Sequence, residues 1–348
     1  MAKTQQYHFL DSGGGRKLEK FGDLTLIRPC PQAMWNPLNP KIWDKFDAEF
    51  VRTTEEKGDW QTNPSGPNKL YTLPKNWLIN SKNGLVWTIE PNDFGNLGVF
   101  CEHWEYVESL VNFFNKNTNQ LDNSDIKIEN ISNSSTNSSQ LLEQSSDSHQ
   151  NFDETSNLTT TENTKTNSSD FNNQNSQNSQ NNQFKILNLF TYSGSSCVWL
   201  IKQGFCVTAV DSSRSAMDLY NLNLDNNKLS HDGQRMILED VDKFVDREIR
   251  REAQYDGIMI DAPSYGRGRK GELFKIEEHL VNLLKKTKNL LKRDGKLVLT
   301  LHSPRFTPAI LLILVGQIFE GKKVETCEIM LKCQNGIDLP SGFLVKIG

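Results

Sequence analysis

A chain of 348 residues holds one large domain or two modest ones, and its formal charge of -4 does not mark it as a nucleic-acid binder. That average hides a division: residues 116–183 carry 3 Lys and Arg against 9 Asp and Glu, whereas residues 184–348 carry 24 against 20, a mildly basic balance that permits an RNA partner without demanding one. Six cysteines form no Cys-x-x-Cys pair or zinc-spaced Cys/His cluster, and no apolar run approaches the ~20 residues that span a bilayer, so the reading is a cytoplasmic chain with reduced thiols, no metal site and no membrane segment.

Residues 1–91 read as short strands and turns. Gly13–Gly15 and Phe21–Gly22 break the chain early, and Leu24–Ile27, Trp77–Ile79 and Val86–Ile89 alternate like hairpin strands. Five of the seven tryptophans lie before Pro91. The plain reading is a small β-rich N-terminal domain covered by aromatics; a base-stacking surface is the alternative. A short segment, 92–114, leads into an insert over 115–183 dominated by Asn, Ser, Thr and Gln. So few apolar side chains cannot offset the entropy of ordering, which predicts disorder there.

After the insert, strand and helix patterns alternate. Strands are expected at Ile186–Phe190, Cys206–Val210, Arg235–Leu238, Gly257–Ile260 and Lys296–Leu301, each followed by a helix, and two final strands, Val324–Leu331 and Gly342–Ile347, follow one another directly. This order predicts a Rossmann-like α/β domain over 184–348, with a seven-stranded, mostly parallel sheet ending in an antiparallel hairpin.

In such a sheet ligands bind at the carboxyl ends of the strands. Two stretches stand there. Thr191–Tyr192–Ser–Gly194 turns from the first strand into a helix whose free N–H groups suit a carboxylate or phosphate, and Gly194 permits close backbone approach. Asp211 ends the next strand, where it either accepts ribose hydroxyls or caps the following helix. Glu239–Asp240 ends the third, to meet an adenine amino group or to cap its own helix. The second and third glycines of a dinucleotide fingerprint are missing, since Ser195, Ser196 and Cys197 follow Gly194. A cofactor with a small amino-acid tail, S-adenosylmethionine, suits that turn better than a pyrophosphate. The second stretch, Asp261–Ala–Pro263–Ser–Tyr265, places a carboxylate, a fixed turn and an aromatic ring beside a flat acceptor. Gly266–Arg267–Gly–Arg269–Lys270 follows as a basic loop that either binds phosphate or is simply solvated. His302 reads as a structural or turn residue, with contact to the substrate as the alternative.

Asn188–Gly194, Asp211, Glu239–Asp240 and Asp261–Tyr265 resemble the class I S-adenosylmethionine-dependent methyltransferases, and more narrowly the bacterial group of the 23S ribosomal RNA cytosine-5 and guanine-N7 methyltransferases. The likeness runs from about Phe94 to the C-terminus, less the insert, and Asp11–Gly22 looks like an uncharacterised branch of the group. The resemblance implies that the Thr191–Gly194 loop binds the methionine end, that Asp211 takes the ribose and Asp240 the adenine edge, and that Phe100 and Glu102, within 92–114, close over the cofactor. It further implies that Asp261, Pro263 and Tyr265 face the acceptor, a base in ribosomal RNA. Two departures stand out. Thr300–Pro304 lacks the cysteine that cytosine-5 chemistry needs for its covalent adduct, and Ala262 replaces the first proline of the Asp-Pro-Pro pattern. The small N-terminal RNA-binding domain of those enzymes is not recognisable.

Overall fold

The computed structural model describes residues 6–54, 57–115, 184–267, 273–334 and 336–348. The insert expected over 115–183 lies, but for its first residue, outside them.

Five strands open the chain: β1 (Tyr7–Gly13), β2 (Arg16–Phe21), β3 (Leu24–Pro29), β4 (Ala48–Arg52) and β5 (Gly58–Thr62) form one sheet in sequence order. Only β3 and β4 pair in parallel. A separate hairpin joins β6 (Trp77–Asn80) to β7 (Val86–Ile89). A 3-10 turn, Cys101–Glu105, and helix α1 (Val107–Asn115) follow.

The rest builds an α/β sheet from β8 (Lys185–Leu189), α2 (Ser195–Lys202), β9 (Cys206–Asp211), α3 (Arg214–Asn226), β10 (Arg235–Leu238), α4 (Val241–Arg250), β11 (Tyr255–Ala262), a small ribbon of β12 (Tyr265–Arg267) and β13 (Leu273–Lys275), α5 (Ile276–Leu290), β14 (Leu291–Leu301), α6 (Pro308–Ile318), β15 (Val324–Leu331) and β16 (Leu339–Ile347). The seven strands lie in the order β10-β9-β8-β11-β14-β16-β15, parallel except for β16, which runs antiparallel to both neighbours.

Alternation of side chains across the central strands supplies both faces. Ile186, Met259 and Val298 point to one core, against Leu110 and Phe114 of α1, Val198 and Leu200 of α2 and Tyr220 and Leu224 of α3. Leu187, Ile258, Ile260, Leu297 and Leu299 point to the other, against α4, α5 and α6. Helix α4 shows the pattern that drives this packing, burying Val241, Phe244, Val245 and Glu248 on one stripe. Gly257 of β11 admits α1, because a Cβ there would stand 2.7 Å from the Phe114 ring. The first core also takes in Phe9, Phe21, Leu26, Trp87 and Trp104, so the N-terminal strands and the α/β sheet bury their apolar surface together.

Helix starts follow side-chain chemistry. Ser213, Asp240 and Thr307 accept the backbone N–H of Ala216, Lys243 and Ile310 as N-caps of α3, α4 and α6, and Pro308 occupies the first turn of α6. No helix among the described residues is long and apolar enough to cross a membrane.

Candidate functional site

Because β8, β9, β10, β11 and β14 are parallel, their carboxyl ends share one rim, and residues 190–194, 211, 240, 261 and 302 all stand on it. At its centre Phe100, His103, Asn188, Phe190, Thr191, Tyr192, Ser195, Ser196 and Asp261 line one cleft. The space within it open to a water-sized sphere is about 10 Å³.

The β8–α2 turn is held hard. Phe190 and Tyr192 adopt positive φ of 61° and 50°, conformations that side-chain-bearing residues avoid unless the surroundings impose them. Thr191 is the anchor: its hydroxyl donates to Asn188 Oδ1 at 2.8 Å and accepts the Val210 N–H at 3.0 Å. Asn223 of α3 donates to the Ser193 carbonyl at 3.0 Å. Gly194 sits at φ 83° and begins α2 without a side-chain cap. A Cβ on it would meet Tyr220 Cδ2 at 2.1 Å, so a protein ring fills the room expected for a ligand on that side of the backbone.

Asp211 ends β9 with each carboxylate oxygen committed once: Oδ2 accepts the Tyr192 N–H and Oδ1 the Ser213 N–H, both at 2.8 Å. Burial raises its pKa despite these bonds. Asp240 caps α4, with Oδ1 accepting the Lys243 N–H at 3.1 Å. The Phe100 ring packs on Tyr192 at 5.2 Å and on His103 at 5.6 Å, above the cleft. Burial, then the Glu90 charge, push the Tyr192 hydroxyl up to about 12. Glu102 is half-buried and helps to hold a proton on His302.

Asp261 is the electrostatic focus. Thr300 donates to its Oδ1 at 2.5 Å, His103 Nε2 lies 3.4 Å from Oδ2, and His302 Nε2 lies 3.7 Å from Oδ1. Burial works against the carboxylate, yet His103, His302 and Thr300 outweigh it and bring its pKa down to about 2. For His302 burial again opposes charge, and Asp261 foremost, then Glu102 and the Ser341 carbonyl, carry it up to about 9. Pro263 follows, half-buried. Tyr265 is 45% exposed on β12, off the cleft. The Arg267 backbone belongs to β12, whereas its side chain, Arg269 and Lys270 lie outside the described residues.

The structure thus brings Phe100, Thr191, Tyr192 and Asp261 to one cleft, with Asp211 bonded to its wall. Sequence reading missed His103 and read His302 as structural. The two are far apart in sequence, so spacing could not join them; the available signal was that His103 directly follows Glu102 in the segment expected to cover the site. Asn223 left no sequence signal at all.

No family model matches the chain. Along 122 residues it is 33% identical to the ribosomal RNA large subunit methyltransferase K/L of Syntrophotalea carbinolica, covering 34% of this chain and 17% of that protein. The chain spans less than a fifth of the length of the curated relatives it matches first. Among solved structures, a SAM-dependent methyltransferase from Agrobacterium tumefaciens superposes with a TM-score of 0.72 at 24% identity, over 98% of this chain and 89% of that one. The chain shares the fold of that methyltransferase. A methyltransferase solved in complex with S-adenosylhomocysteine has the same fold, with a TM-score of 0.63 at 15% identity over 100% of this chain and 76% of that one. The mostly parallel sheet of seven strands matches the expectation from the alternating β and α pattern, and its antiparallel strand, last in sequence, is inserted next to β14.

Proposed function

We propose that this chain transfers a methyl group from S-adenosylmethionine to a base in RNA, with large-subunit ribosomal RNA as the substrate. One observation carries the reading: an uncapped helix N-terminus and an aromatic-walled cleft stand directly beside the strand-end carboxylate of Asp261. The name of the Syntrophotalea relative adds ribosomal RNA as the substrate of that protein.

The residues fit this cofactor. The buried hydroxyls of Ser193 and Ser195 lack a hydrogen-bond partner among the described residues, and with the first amides of α2 they offer donors to a methionine carboxylate. Each Asp211 oxygen keeps a lone pair beyond its backbone bond, enough for two ribose hydroxyls. Asp240 keeps Oδ2 for the adenine amino group. Thr191 and Tyr192 shape the loop, and residues 92–114, with Phe100 and Glu102, close over it. In this reading Phe100 and the Cys101–Glu105 turn move outward for cofactor entry and return afterwards.

Bound S-adenosylmethionine supplies the methyl group on an activated sulfonium. What the chain contributes is alignment, which is worth about 7–11 kcal/mol of the barrier when two reactants are held in line. Asp261 and the Ala262 carbonyl hold the hydrogen-bonding edge of the base, Pro263 fixes the turn, and Tyr265 swings in to stack on the ring. Arg267, Arg269 and Lys270 take RNA phosphates. With no cysteine in Thr300–Pro304, the acceptor is a ring nitrogen, which already presents a lone pair, and not an unactivated ring carbon. Incubating the chain with tritiated methyl donor and a cell extract, then separating RNA from protein, tests this. Label is expected in large-subunit ribosomal RNA; label confined to protein overturns the reading.

A further inference from the structure

Three side chains from distant parts of the sequence converge at the rim: His103 from the Cys101–Glu105 turn, Asp261 from the end of β11 and His302 just past β14. Their ligand-type atoms all lie within 4.8 Å of one another. Nε2 of His103 and Nε2 of His302 face the two carboxylate oxygens at 3.4 and 3.7 Å, too long for hydrogen bonds. Both nitrogens are buried with no hydrogen-bond partner among the described residues, and His103 as a whole is only 2% exposed. The two nitrogen–oxygen distances lie near the edge of a tetrahedron, about 3.4 Å when each ligand atom stands ~2.1 Å from the centre.

The neighbours orient the lone pairs. His302 Nδ1 donates to the Ser341 carbonyl at 2.7 Å, which fixes the ring with Nε2 facing Asp261, and an ion bound there displaces the proton that Nε2 otherwise carries. Thr300 fixes the carboxylate through Oδ1. Outer hydrogen bonds of this kind are what hold metal-ligating histidines and carboxylates in place. His103 and Asp261 also line the cleft that adjoins the cluster.

We propose that His103 Nε2, the Asp261 carboxylate and His302 Nε2 bind one divalent first-row transition ion of the zinc or cobalt type. Two imidazoles and a carboxylate are the donor set such ions select, whereas magnesium and calcium take oxygen. The ion ties the Cys101–Glu105 turn to the ends of β11 and β14. It shares Asp261 with any hydrogen-bonded acceptor, so it stabilises the closed, acceptor-free form of the cleft.

The test strips the full chain with a chelator and titrates it with Co²⁺, whose visible spectrum reports the ligands. One equivalent is expected to bind, with d–d bands but no thiolate charge-transfer band, and with a rise in thermal midpoint that grows with free Co²⁺. His103→Gln and His302→Gln are each expected to weaken binding by well over about 100-fold, beyond the roughly 10–100-fold that loss of an outer-shell group costs. Should either variant fail to fold, ring ¹⁵N spectra of the unmodified chain decide: Co²⁺ must broaden the Nε2 signals of two histidines first. No stoichiometric binding, thiolate bands, binding that survives both substitutions, or broadening elsewhere first each overturns the proposal. None of these readouts involves methyl transfer, so a failure here leaves the proposed function standing, and the reverse.

Discussion

At Gly194 a left-handed backbone and close packing meet in one residue. Its φ of 83° disfavours a side chain, and Tyr220 occupies the place where a Cβ would go. Gly194→Ala is therefore expected to cost about 1–3 kcal/mol, from strain at a left-handed position and from overpacking. A urea midpoint that gives a loss below about 0.5 kcal/mol would show that the Tyr220 ring yields freely. Glu19 makes a second residue-scale case. Its carboxylate is buried and accepts from Arg28 Nε at 2.7 Å, Arg28 Nη2 at 2.9 Å and the Tyr7 hydroxyl at 2.9 Å. Burial opposes the charge, yet Arg28 and Lys17 outweigh it and lower the pKa from 4.5 to about 2. A folded-state value below the unfolded one stabilises above pH 4.5, and that stability drains away as the pH falls toward 2. The loss amounts to at most ~3 kcal/mol at 1.36 kcal/mol per unit. Glu19→Gln should be less stable at neutral pH and lose less on acidification; an unchanged acid slope would refute the assignment.

At the scale of elements, the end of α3 grips β7 with amide side chains that imitate a neighbouring strand. Asn227 Oδ1 accepts the Val86 N–H at 2.8 Å while its Nδ2 donates to the Val86 carbonyl at 2.7 Å, and Asn223 Oδ1 accepts the Thr88 N–H at 3.0 Å. Asn223 also reaches the Ser193 carbonyl, so one buried amide joins the hairpin, the helix and the cofactor loop. Asn223→Ala leaves a buried N–H and a buried C=O unpaired, each worth about 1–3 kcal/mol. Faster hydrogen exchange at Thr88 is expected, together with weaker binding of S-adenosylhomocysteine; exchange changed at Thr88 with cofactor affinity untouched would separate the hairpin from the loop. Nothing in the sequence pointed to this clasp, because an Asn near a helix end reads equally as a solvated residue. The strands of the parallel sheet were legible for the opposite reason: two-sided burial turns β8, β11 and the end of β14 into continuous apolar runs. Asp211, Asp261 and the Thr191–Gly194 loop were legible because strand ends declare themselves. The parallel pairing of β3 with β4 and the convergence of His103 on Asp261 were not, since both depend on long-range closure that local pattern does not encode.

On the scale of the whole molecule, the shared core decides how the protein unfolds. Phe9 and Phe21 of the first sheet, Trp87 of the hairpin and Trp104 of the covering turn belong to one buried cluster with Val198 of α2, Tyr220 of α3, Met259 of β11 and Leu344 of β16. An independent N-terminal domain would need a core that closes on itself, but the cluster confined to the first sheet and its loop comprises only Leu18, Ile27 and Trp43 with a few partly buried neighbours. Phe9, Phe21, Leu24, Leu26 and Trp87 lie instead in the core shared with the α/β sheet, which predicts that the N-terminal strands and that sheet unfold together. Urea unfolding followed by tryptophan fluorescence, which reports mainly on the first 91 residues with Trp35, Trp43, Trp60, Trp77 and Trp87, should coincide with unfolding followed by far-ultraviolet circular dichroism, to which the helices of the α/β sheet contribute most. Two separated transitions would mean that the first 91 residues fold alone. In that case the cofactor cleft, covered by Phe100 and His103 from the junction, would be gated by movement of a whole domain and not by its covering turn.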